Sequence, residues 1–140
     1  MDQTKIFIPF FGLMLLTILV WCYMYYLRLS FIFRKKIDTQ ALAMQYHMLD
    51  TIPDKQNYSS ENLINLFELP VLFYTVCLFL YVANQVDEFN LILAYGFLIF
   101  RIIHSLIHCT YNRVVHRFYA YVVSAIILWV MIIRAFITVL

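Results

Sequence analysis

The chain has 140 residues, of which 64% are hydrophobic and 13% charged, and it carries a formal net charge of +2. That length allows one domain, and the composition lies outside the range of water-soluble globular chains. So small a net charge, with no long basic run, excludes a nucleic-acid partner.

Four apolar runs follow one another at 6–27, 62–86, 89–111 and 118–140. A helix needs about 20 residues to cross a hydrocarbon core of about 30 Å, and each run meets that requirement. The expected fold is all-α, an integral membrane four-helix bundle. It forms a single transmembrane domain over 1–140, with helices near 6–33, 61–85, 88–111 and 117–140. The first run is longer than the apolar part of a secretory signal, and no small-residue cleavage motif follows it, so it is read as a retained first helix. Pro9 is tolerated near its start. Trp21, Tyr23, Tyr25 and Tyr26 cluster toward its far end, where they suit an interfacial belt or helix packing.

The basic group Arg34, Lys35 and Lys36 comes next, then a polar connection in which 37–48 has the pattern of a short amphipathic surface helix. His47 in that connection reads as a solvated loop histidine. Ser59 or Ser60 is placed to cap the second helix. Glu61, Asn65 and Glu68 then recur at helical spacing and form a polar stripe. Pro70 removes a backbone donor and obstructs the carbonyl of Leu66. In a membrane the freed groups must find a partner, so Asn65, Glu68 and Pro70 mark a polar notch.

A short acidic turn with Asp87 and Glu88 makes the second and third helices antiparallel neighbours. In the third helix Arg101, His104 and His108 share one face, and the same spacing extends to Asn112. Intramembrane ionisable groups cost roughly 2.5–3.5 kcal/mol at the bilayer centre and so face a protein interior or a wet cavity. A basic turn with Arg113, His116 and Arg117 leads into the fourth helix. Positive residues flank the first and third connections and are absent from the second. By the positive-inside rule both termini and the acidic turn are expected on the non-cytoplasmic side, with both polar stripes in the cytoplasmic half.

One carboxylate, Glu68, can pair with Arg101, but it cannot neutralise Arg101, Arg113 and Arg117 together. The surplus of cationic donors asks for an anion, and the arginine fork suits carboxylates. Such a cleft also favours the thiolate form of a bound thiol. His104 and His108 with Glu68 resemble part of a metal site, yet the nearby arginines repel a cation, and no metal is expected. Cys22, Cys77 and Cys109 lie inside apolar runs and read as small apolar residues; an odd number without short spacing gives neither a disulfide framework nor a zinc pattern. Of the three, only Cys109 abuts the polar stripe. Since a lone bundle of this size only partly covers Glu68 and Arg101, a trimer that buries them between subunits is expected. Glu68, about two turns deeper than Glu61, is expected to matter more than Glu61 for binding or assembly.

Order and spacing together resemble the MAPEG family, the membrane-associated proteins of eicosanoid and glutathione metabolism. The residues that carry the resemblance are Asn65-x-x-Glu68 followed by Pro70, and Arg101-x-x-His104-x-x-x-His108 running into an arginine-bearing turn. It covers about 61–133, with the first helix similar only in hydropathy. The resemblance implies a homotrimer that binds glutathione, as co-substrate or cofactor, in clefts between subunits at the cytoplasmic side. It implies glutathione contacts at Asn65, Glu68, Arg101 and His104. His108 stands where many members have tyrosine, and Tyr121 matches a tyrosine that lines the site. Arg117, or Arg113 if the turn shifts, corresponds to the arginine implicated in stabilising the thiolate. Glu61 departs from an arginine often found four residues before the asparagine, and Pro70 follows the glutamate more closely than in other members. The implied activity is that of a glutathione-dependent transferase or peroxidase acting on a lipophilic electrophile. The alternative is a non-catalytic membrane oligomer that binds a lipid or an anionic ligand, or scaffolds a partner.

Overall fold

The computed structural model describes residues 2–36 and 54–139. A 3-10 turn, Gln3–Ile6, leads into α1 (Phe7–Lys35), and α2 (Asp54–Asn65), α3 (Leu69–Val82), α4 (Glu88–Cys109) and α5 (Val114–Ile137) follow. Among the described residues there is no strand. The surface helix expected at 37–48, and His47 with it, fall outside the described residues. Four spans are long and apolar enough to cross a membrane, and α2 and α3 together make the second.

The second span is where the structure departs most from a continuous helix. Pro70 has no N–H to offer the Leu66 carbonyl, and its ring would strike that carbonyl. The chain therefore leaves the helix after Asn65, turns through residues 66–68 and restarts at Leu69. Pro70 then sits in the first turn of α3, where no intrahelical donor is required. Glu68 is the residue before that new start, with φ −94° and ψ −100°. Ser59 and Ser60 lie inside α2 and do not cap it, because the helix begins earlier, at Asp54.

At the acidic end α3 closes with Asn84 in the left-handed region (φ 56°). The Gln85 N–H reaches back to the Leu80 carbonyl at 2.9 Å, and the Asn84 N–H reaches Tyr81 at 3.1 Å. These two bonds satisfy carbonyls that a helix end otherwise leaves open. Asp87 caps α4 by accepting from the Asn90 N–H at 2.6 Å, and its other oxygen takes Arg134 of α5 at 2.6 Å. The Gln3 side chain is bonded both ways to the backbone of Val86, which ties the start of the chain to the same turn.

The core runs between the helices from Ile6 of the 3-10 turn and Phe10 and Leu13 of α1 through Phe73 and Leu80 of α3 to Phe97 of α4 and Leu128 and Met131 of α5. Phe73 and Phe97 stack with ring centroids 4.6 Å apart. Gly12 lets α1 approach α4 closely; a Cβ there would lie 2.8 Å from Leu98 Cδ2. The most extensive pairing is α4 with α5, while α1 packs on α2 and α4, and α3 packs on α5. Large apolar side chains such as Phe11, Leu15, Ile18, Ile126 and Ile133 remain exposed around the perimeter. A surface of that kind is suited to hydrocarbon.

Candidate functional site

The break in the second span builds the centre of the site. In an unbroken helix the Asn65 carbonyl would accept from the N–H four residues on, at Leu69. The turn at residues 66–68 takes that donor away, and Arg101 of α4 replaces it with an Nη2–H to Asn65 O at 2.6 Å. Arg101 is 0% exposed, the largest of the fully buried side chains. Its Nε and Nη1 have no partner among the described residues. The expectation that a single subunit would leave Arg101 on an outer face is therefore not met: the unwound carbonyl draws it inside. Glu68 does stay exposed, and it forms no ion pair among the described residues.

His104 and His108 stand one and two turns further along the same face, and both are buried. Their rings meet edge to face with centroids 5.5 Å apart. Tyr121 of α5 closes this side: its ring lies 5.9 Å from that of His104 and 5.8 Å from the Arg101 guanidinium carbon. Arg101, His104, His108 and Tyr121 are thus brought together, with Asn65 present through its carbonyl. The Asn65 side chain turns back to the Glu61 carbonyl at 3.1 Å.

The mouth is built by the turn between α4 and α5. Helix α4 ends at Cys109, before the helical spacing of the stripe does, and Asn112 adopts a left-handed conformation (φ 46°) with its N–H on the Ile107 carbonyl at 2.8 Å. Asparagine is among the few residues that tolerate that conformation. Because α5 begins at Val114, Arg117 lies in its first turn and does not itself start the helix, and it reaches back across the bend. Its Nη1 donates to Asn112 Oδ1 at 2.8 Å and to His108 Nε2 at 2.7 Å. A guanidinium can only donate, so Nε2 is the acceptor and the ring hydrogen sits on Nδ1. That Nδ1 is buried and without a partner among the described residues, as is Nδ1 of His104. Arg113 precedes the helix, exposed, with no side-chain cap bond.

The carboxylate in this cluster is Glu61. One of its oxygens lies 3.3 Å from His108 Nε2 and 3.9 Å from Arg117 Nη1, with the side chain 57% exposed. Sequence spacing put weight on Glu68; Glu68 is exposed at the break in the helix, and Glu61, on α2, is the carboxylate beside the histidine. Reading the sequence also missed Asn62. It is fully buried, accepts from Ser105 Oγ at 3.3 Å and donates to Cys109 Sγ at 3.3 Å. The signal was present, because Ser105 follows Arg101 by one helical turn and Cys109 follows Ser105 by another. Beside this pair lies an apolar cleft of about 320 Å³ between α1 and α4, lined by Leu16, Val20, Tyr23, Leu106 and Cys109. Among the described residues no three His, Cys, Asp or Glu side chains are grouped to hold a metal ion.

Set against known proteins, residues 6–137 match the family model described as the MAPEG family. No curated protein and no solved structure gives a match.

Proposed function

Since the chain belongs to the MAPEG family, whose members include glutathione transferases and peroxidases, we propose that it uses glutathione against a lipophilic electrophile and works as a homotrimer. The observation that carries this reading is the buried guanidinium of Arg101, with two nitrogens left without a partner among the described residues, beside His104 and His108. Unpaired donors of this kind cost free energy in an apolar interior until an acceptor arrives. A carboxylate of glutathione supplies such an acceptor, and Arg101 presents the fork that suits it. Arg117, held at the mouth by Asn112 and His108 and partly exposed, is the group with which a thiolate can pair. Stabilising that thiolate makes the sulfur lone pair the attacking nucleophile. Tyr121 and the apolar cleft between α1 and α4 complete the surroundings in which a membrane-dissolved electrophile meets it. The trimer follows from Glu68, an exposed carboxylate within a membrane span, which a second subunit would cover.

The test is titration of glutathione into the detergent-solubilised protein while the thiolate absorbance band is followed. The parent should show the band, Arg117→Ala should lose it, and Arg113→Ala should keep it. If the pattern reverses, Arg113 is the thiolate partner. If no band appears in the parent, the glutathione reading fails and the protein is a non-catalytic oligomer that binds another anion or scaffolds a partner.

A further inference from the structure

The opposite, acidic end of the bundle carries a second site that the glutathione reading does not use. Two cavities meet there across the small side chain of Ala135. One is a polar cleft of about 300 Å³ whose lining includes Gln85, Asp87, Asn90 and Arg134. The other is a groove of about 380 Å³ between α3 and α5, lined almost wholly by apolar side chains such as Leu72, Val76, Phe79, Ile132 and Phe136. From Leu72 to Phe79 this groove follows α3 for about 10 Å, given a rise of about 1.5 Å per residue. A polar mouth above an apolar groove has the polarity profile of a lipid and of no water-soluble ligand.

The polar groups of the cleft are incompletely partnered. Asn90 is only 4% exposed; its Nδ2 donates to the Gln85 carbonyl at 3.1 Å, which orients the amide and leaves Oδ1 as an acceptor. That Oδ1 has no partner among the described residues, and neither does Gln85 Oε1. Arg134 gives one N–H to Asp87 at 2.6 Å and holds its guanidinium over Phe89 at 4.7 Å, while its Nε has no partner among the described residues. Asp87 is half-exposed and has acceptor capacity beyond the two bonds it makes. The cleft therefore offers one cationic donor for a phosphate and several acceptors for a group rich in N–H.

We propose that this end of the bundle binds a zwitterionic phospholipid whose headgroup carries a primary ammonium. The phosphate meets Arg134, the ammonium meets Asp87 and the neighbouring amide oxygens, and the upper part of one acyl chain lies in the groove between α3 and α5. An ethanolamine headgroup has three N–H donors for those acceptors, whereas a choline headgroup has none.

The experiment uses the full chain, stripped of lipid in detergent and titrated with dioleoyl phosphatidylethanolamine or dioleoyl phosphatidylcholine, with adducts counted by native mass spectrometry. The ethanolamine lipid should bind about tenfold more tightly, the difference expected of one hydrogen bond to a charged group. Asp87→Asn keeps an oxygen to cap α4 but removes the charge and the oxygen that holds Arg134, and it should bring the two lipids within about twofold of each other. Ala135→Leu, which fills the waist between cleft and groove, should weaken both lipids. Glycerophosphoethanolamine, which lacks the chains, should not bind measurably. Equal binding of the two lipids by the parent overturns the proposal, as does unchanged binding in Ala135→Leu. Absence of any adduct, with Ala135→Leu disrupting the oligomer, overturns it in favour of contact between copies at this face.

Discussion

Replacing Pro70 by alanine should make the bond from Arg101 to the second span dispensable. Alanine restores an N–H at position 70 and removes the ring that obstructs the Leu66 carbonyl. With α2 and α3 joined, the Asn65 carbonyl can take the Leu69 N–H and no longer needs the Arg101 Nη2 now found 2.6 Å away. A hydrogen bond from a charged donor contributes about 1.5–3 kcal/mol. Arg101→Met removes that bond, but it also removes a buried guanidinium with two unpartnered nitrogens, whose burial is itself costly. The sign of the single substitution is therefore not diagnostic, whereas the coupling is. Arg101→Met should be about 1.5–3 kcal/mol less damaging in Pro70→Ala than in the parent. The assay is reversible unfolding in mixed SDS–detergent micelles, followed by far-UV circular dichroism, for the parent, both single variants and the double variant. Additivity within about 0.5 kcal/mol would show that the break and the buried arginine are independent, and the reasoning would be wrong.

Three further outcomes are expected. Glu61→Gln should raise affinity for glutathione by a fewfold, because it removes an anion that already faces His108 and Arg117, and Glu68→Gln should leave affinity within twofold; isothermal titration in detergent distinguishes them. Asn112→Ala should lower stability by roughly 1–2 kcal/mol through its left-handed backbone while Asn112→Gly should not, yet both should slow turnover by freeing Arg117, as thermal unfolding and conjugation rates will report. Crosslinking in mild detergent should give a trimer, and Glu68→Lys should weaken it; a ladder that stops at monomer or dimer removes the trimer from the proposal.

The spans were legible because each is a long run of apolar residues, a pattern set by bilayer thickness and indifferent to tertiary detail. The stripe of Arg101, His104 and His108 was legible for a related reason: helical spacing alone puts these residues on one face, and their cost in hydrocarbon turns that face inward. Glu68 was expected beside the arginines and histidines, and Glu61 is the one that lies near His108 and Arg117, because spacing was counted along a continuous helix. Pro70 was read as a notch, but the helix gives way to turns at residues 66–68, and a segment broken in this way no longer carries the angular register that spacing arguments assume. Arg117 was placed at the helix start for a similar reason, since nothing in the basic turn reveals that Asn112 bends the backbone and lets α5 begin at Val114. Asn62 escaped notice because its partners, Ser105 and Cys109, come from another helix.

The two ends of the bundle use charge in different ways, and the difference bears on why the histidine end is the one proposed to bind glutathione. At the acidic end Asp87 pairs with Arg134 at 2.6 Å and caps a helix with its other oxygen, so the charges there neutralise each other within one subunit. At the basic end Arg101 spends one donor on a carbonyl, and Arg117 spends its contacts on Asn112 and His108, both uncharged acceptors in this arrangement. Among the described residues Glu61 is the carboxylate within 4 Å of either arginine, at 3.9 Å from Arg117 and largely in solvent, where an ion pair contributes about 1 kcal/mol or less. The positive charge of that end is thus weakly compensated by the described residues. A ligand that brings both a carboxylate and a thiolate compensates it at two depths, the carboxylate at the buried Arg101 and the sulfur at the exposed mouth. Salt should therefore weaken capture at Arg117 more than anchoring at Arg101, because a Debye length of about 8 Å screens the mouth and leaves the interior almost untouched. Raising ionic strength from about 0.05 M to 0.5 M should accordingly diminish the thiolate band more than it lowers glutathione affinity. An equal loss of both would mean that the two arginines share one solvent-exposed anion site, and the division of labour between them would have to be abandoned.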